Sequence, residues 1–145
     1  MSIIGQILSN KAIVVPFTAW IVAQLLKVAI VSFQDRKLDF TRLVGSGGMP
    51  SAHTAFIIAL AAVTGKNNGW DSAEFAITAV FSAIVMYDAA GVRRAAGKQA
   101  EVLNKLLYSN GHIKLEEKLK ELIGHTPFEV IIGAVLGALF GYIFG

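Results

Sequence analysis

The chain has 145 residues, of which 54% are hydrophobic and only 16% charged, with a mean hydropathy of +0.60 and a pI near 9.3. That is too apolar for a soluble domain of this size and puts the chain among integral membrane proteins. Its basic residues then mark the cytoplasmic side rather than a nucleic-acid partner, and the absence of cysteine excludes disulfides and thiolate metal sites.

Residues 1–145 read as a single membrane-embedded domain with no low-complexity tract or internal repeat. Ser2 to Asn10 carries Ile3, Ile4, Ile7 and Leu8 but no basic leader or cleavage site, so it is expected to be an interfacial helix rather than a signal peptide. The first span runs over 12–33, about 33 Å of helix and enough to cross a bilayer. Gln24 and Lys27 interrupt it on one shared face. Lys27 reads either as a lysine that snorkels to the interface or as a phosphate ligand turned into the bundle, and Gln24 beside it favours the second.

A polar loop follows to Gly48, and then an unusual run, Gly45-Ser46-Gly47-Gly48-Met49-Pro50-Ser51-Ala52-His53. Its glycines allow a sharp turn and close approach to a ligand, and Pro50 suits the first turn of a helix. Gly48, Ser51 and His53 then lie at the positive end of that helix, a plausible phosphate cradle. The second span covers 51–64, short for a crossing, and ends at Gly65-Lys66-Asn67-Asn68-Gly69. The third covers 72–90.

Residues 91–126 form the long hydrophilic region. Val102, Leu103, Leu106 and Leu107 predict one amphipathic surface helix, and Leu115, Leu119 and Leu122 a second. The last span, 127–144, repeats Gly133, Gly137 and Gly141 at four-residue spacing, which suits close helix packing, either inside the bundle or in a homodimer. The fold class is therefore all-α, a membrane bundle of about four spans with an amphipathic cytoplasmic segment. Four spans put the loops at 34–50 and 91–126 on one side with ten lysines and arginines, against Lys11 and Lys66 opposite. The positive-inside rule makes that side cytoplasmic.

This topology gathers His53, the stretch Asp88 to Arg94, and His125 at one membrane face. Two histidines, adjacent arginines and a glycine-rich helix start point to phosphoryl transfer. Arginines and helix dipoles neutralise phosphate oxygens, while one histidine attacks phosphorus and the other protonates the leaving oxygen. Thr126-Pro127-Phe128-Glu129 also reads as a capping box, which would engage Glu129 without preventing it from orienting His125. Asp88, at a span's end, is expected to form an ion pair with Arg94 or Lys27. His112, in a loop beside Gly111, reads as a surface residue.

Met49-Pro50-Ser51-Ala52-His53 and Gly124-His125-Thr126-Pro127-Phe128-Glu129-Val130 resemble the type 2 phosphatidic acid phosphatases, membrane relatives of vanadium haloperoxidases. With Asp88-Ala89-Ala90-Gly91-Val92-Arg93-Arg94, the match is to their divergent bacterial and plastid branch, over nearly the whole chain from Trp20. The resemblance implies a bacterial cell-membrane phosphatase acting on a lipid phosphate or diphosphate through a phosphohistidine, without metal or cofactor. It makes His125 the nucleophile, Glu129 its orienting carboxylate and His53 the acid. Ser51, Arg94 with Arg93, and Lys27 become phosphate ligands. The chain departs from the parent pattern at Ala52, where glycine is usual, and at Glu129, where aspartate is. Two rivals stand beside this reading: a metal-dependent lipid-phosphate transferase using Asp88, and a non-catalytic binder or transporter of a phosphorylated lipid.

Overall fold

The computed structural model describes residues 2–35, 47–109, 118–121 and 123–145. Among them lie six helices and no strand: α1 (Ile3–Ser9), α2 (Lys11–Asp35), α3 (Ala52–Asn68), α4 (Ala73–Ala90), α5 (Val92–Ser109) and α6 (Pro127–Phe144). Helix α2, the stretch running from α4 into α5, and α6 are long and apolar enough to cross a membrane. This is an all-α membrane bundle.

Helix α3 is the shortest of the bundle helices at 17 residues, about 25 Å long. It lies in the middle, packed against α2, α4 and α6. Its sequence explains the position. Ala52, Ala55, Ala59 and Ala61 are all buried, and without large side chains they let neighbouring backbones come close. Helix α6 exploits this with its glycines. A methyl group at Gly133 would sit 2.5 Å from the Ser51 carbonyl oxygen, at Gly137 2.3 Å from that of Ala55, and at Gly141 2.5 Å from the Ala62 methyl. The glycine stripe is thus used inside the bundle, against α3. The large apolar side chains point the other way: Ile77, Val80, Ile84, Ile131, Leu139 and Ile143 are more than half exposed, as a lipid-facing surface requires.

Helix α3 extends past the expected stop at Gly65. That glycine is needed within the helix because a side chain there would strike the Trp70 ring, which stacks edge-on against Phe75. The real terminator is Gly69, with φ of +97°. At this end of the bundle Lys66 donates to the carbonyls of Tyr142 and Gly145, and Lys11 also reaches Gly145. The amphipathic helix expected from Val102, Leu103, Leu106 and Leu107 is α5. The second one is not formed where the chain is described: residues 118–121 have no regular structure, and Leu115, Leu122 and His112 lie outside the described residues. The reason lies in Asn104, buried on α5. Its side-chain amide donates to the Leu119 carbonyl and to Glu121, and its oxygen accepts from the Leu119 N–H. Backbone groups held this way are not available to a helical ladder. Gly97 lets the same segment pass close by, since a methyl group there would meet the Glu121 carbonyl at 2.4 Å.

Candidate active site

The ends of α2, α3, α4 and α6 opposite Lys66 bring the candidate residues together. Ser51 is the N-cap of α3, so Pro50 precedes the helix rather than opening it. The Ser51 N–H donates to the Glu129 carbonyl at 3.1 Å, tying the start of α3 to the first turn of α6. Its hydroxyl accepts from the Thr54 N–H at 3.4 Å and from the Thr54 hydroxyl at 2.9 Å. A serine oxygen has two acceptor positions and one proton. With both acceptors engaged, the O–H is the group Ser51 can still donate. Thr54, fully buried, was not singled out from the sequence; its only signal was a polar residue three positions after the cap.

Glycine is obligatory at Gly48, where φ is +92°. The turn it makes lies over the Lys27 side chain, with the Cγ and Cδ of Lys27 3.5 and 3.6 Å from where a methyl would stand. Lys27 itself is only 2% exposed, so it faces the bundle and does not snorkel. Its charge is met by Glu129 and acts on both His53 and His125. A buried ammonium requires such a partner.

His125 is 4% exposed and precedes α6. Its backbone N–H donates to the Ala89 carbonyl at 2.9 Å, fixing it against the end of α4. Gly124 makes that junction possible: its φ is +87°, and a methyl there would lie 2.4 Å from the Arg94 nitrogen. The Nδ1 of His125 faces Glu129 Oε2 at 3.3 Å. A carboxylate only accepts, so Nδ1 carries the proton and the lone pair of the neutral ring sits on Nε2. Glu129 does this while closing a capping box, accepting from the Thr126 N–H at 2.9 Å as Thr126 caps the Glu129 N–H. Capping and orienting are one arrangement. Burial holds the His125 imidazole below its usual range, reinforced by the charge of Lys27 and opposed by Glu129. The ring is therefore neutral at pH 7, as a nucleophile must be.

His53 lies in the first turn of α3 and is exposed. Its charged neighbours are Arg93, Lys27 and Asp88. Asp88 pairs with Arg93, through Arg93 Nε, and not with Arg94 or Lys27. The five-residue separation across Gly91, where α4 ends and α5 begins, brings Arg93 back beside Asp88. Of the two arginines, it is Arg93 whose charge reaches His53. Arg94 contributes its backbone to the junction with Gly124.

The assembly is that of a helical membrane protein with two histidines, a buried lysine, an arginine and a helix N-terminus gathered at one end. The chain belongs to the divergent PAP2 family, whose model matches residues 8–140. It is 40% identical over 147 residues to the uncharacterized membrane protein YuiD of Bacillus subtilis (strain 168), covering 92% of this chain and 93% of that one. No solved structure matches it.

Proposed function

We propose that the protein is a lipid phosphate phosphatase working through a phosphohistidine, with all four of α2, α3, α4 and α6 crossing the bilayer and the site at the cytoplasmic face. The observation that carries this reading is His125, 4% exposed, with its Nδ1 facing Glu129 Oε2 at 3.3 Å, an arrangement that leaves Nε2 to act on a substrate. His125 Nε2 attacks phosphorus, and the phosphorus–oxygen bond to the lipid breaks. The departing oxygen keeps the electron pair and takes a proton from His53. Water then attacks the phosphohistidine, giving its proton to His53 and releasing phosphate and neutral His125. Lys27, Arg93, the Ser51 hydroxyl and the amides opening α3 neutralise the phosphoryl oxygens.

Family membership supports a phosphate-handling site, and the excess of basic residues in the two long loops supports the cytoplasmic orientation. The test is phosphate release from a panel of lipid phosphates and diphosphates in detergent with chelator present. Release by the parent protein that is abolished in His125→Ala is expected. Chelator-sensitive release would favour the transferase-like, metal-dependent alternative, and binding without release would favour a carrier.

A further inference from the structure

The two histidines differ in what lies beside them. His125 is enclosed, whereas His53 is exposed and forms one end of a groove of about 340 Å³ between α2, α3 and α4. The rest of the groove is Phe17, Trp20, Phe56, Ile57, Phe81 and Val85. Phe17 and Phe56 pack edge to face at 5.1 Å and form one wall, and Phe81 on α4 is 54% exposed. Apart from His53, no lining side chain carries a polar group other than the Trp20 indole. At the His53 end, by contrast, stand the positive charges of Arg93 and Lys27 with the single carboxylate of Asp88, which Arg93 pairs, leaving a net positive charge.

We infer that this groove holds the hydrocarbon chain of the lipid whose phosphate enters the site, with the chain on the leaving-group side of phosphorus. The inference rests on the lipid-phosphate reading above and adds a direction to it. In-line displacement needs the nucleophile and the leaving oxygen on opposite faces of phosphorus. His125, on the enclosed side, approaches from one face; the alkoxide departs toward His53, and the chain attached to it continues into the groove that His53 heads. An anionic head beside an apolar channel matches the cationic end and the uncharged walls. The volume is within the ordinary range for a ligand site and suits one chain rather than a whole diacyl lipid.

The chain carries two tryptophans. Trp20 lines this groove, and Trp70 lies beyond α3 against Gly65 and Phe75. Bromine quenches indole fluorescence at contact range, so the groove has its own reporter. The experiment reconstitutes Trp70→Phe in phosphatidylcholine vesicles and titrates phosphatidic acid brominated on its chains, with brominated phosphatidylcholine as the reference. Trp20 quenching should saturate at a mole fraction about tenfold lower for the phosphomonoester, the preference that one charge-assisted contact at the head supplies. Arg93→Ala should remove that preference, and Val85→Phe, which puts a ring in the groove, should weaken quenching by the phosphomonoester. If Trp70→Phe does not fold, the difference between the parent and Trp20→Phe gives the same quantity. Equal quenching by the two brominated lipids would overturn the inference. Turnover is not read, so a groove that binds without hydrolysis leaves this result standing while the phosphatase reading fails, and hydrolysis without selective quenching does the reverse.

Discussion

Replacing Gly133 by alanine alters no side chain of the proposed chemistry, yet it presses on the backbone of Ser51 and should disable the site. The added methyl would stand 2.5 Å from the Ser51 carbonyl oxygen and 3.2 Å from the Ser51 Cβ. Restoring even a tight 3.4 Å contact requires α6 to retreat from α3 by about 0.9 Å. Backbone atoms cannot swing aside as the end of a flexible side chain does. The Ser51 N–H to Glu129 carbonyl hydrogen bond, now 3.1 Å, bridges the same seam one turn away, so a retreat of that size breaks it. Overpacking of this kind costs about 1–3 kcal/mol. The larger effect falls on geometry, because Glu129 and His125 ride on α6 while Ser51 and His53 ride on α3. A displacement near 1 Å between reacting groups costs about 100-fold in rate. The assay is phosphate release together with thermal unfolding in detergent. A folded Gly133→Ala protein, lower in melting temperature and about 100-fold slower, is expected. A variant with the parent's rate and melting temperature would refute the packing argument.

Glu129→Gln removes the charge that raises the His125 pKa, so the acidic limb of the rate profile should move to lower pH while the plateau drops by about 100-fold through loss of ring orientation. An unchanged plateau would make Glu129 a helix cap only. Because burial lowers the His125 pKa in the folded state below the ordinary histidine value of about 6.5, its contribution to stability is full above that pH and is lost as pH falls below it; melting temperatures should show this decline in the parent and less of it in His125→Leu. Ser51→Ala deletes the N-cap of α3 and should cost about 1 kcal/mol, read as a lower melting temperature. Asn104→Ala strips the partners from both backbone groups of Leu119, at about 0.5–1.5 kcal/mol for each hydrogen bond lost, and should appear as faster hydrogen exchange at the Leu119 amide.

The membrane class, the helices α2, α4 and α6 and the capping box at Thr126–Glu129 were legible because each depends on local sequence: hydropathy over a window, or a four-residue pattern. The Gly133, Gly137 and Gly141 stripe was legible as a packing face, but a period of four residues cannot name the partner helix, and α3 emerges only from its complementary alanines. The run 65–69 was legible as the end of α3 but not which of its glycines stops the helix, because the reason for Gly65, the Trp70 ring, comes from the turn five residues on. The irregular backbone at residues 118–121 has a similar origin. Leucine spacing predicts a helix when the backbone is free to form one, and Asn104 binds that backbone from another segment. The Asp88 pairing with Arg93 depends on the break between α4 and α5 at Gly91, which spacing alone does not report. Lys27 was the ambiguous case: hydropathy permits snorkelling, whereas in the fold the Gly48 turn lies over it and the charge of Glu129 meets it on the bundle side.

The claim on which the rest depends is that His125 is the nucleophile. Rapid-quench of the parent protein with a lipid phosphate labelled on phosphorus, followed by mass spectrometry of the peptide spanning 121–129, measures it directly. The account predicts a transient phosphoryl group on His125, acid-labile and base-stable, that forms and decays at rates consistent with turnover. Steady release of phosphate with no label on His125, or with label on another residue, would contradict it.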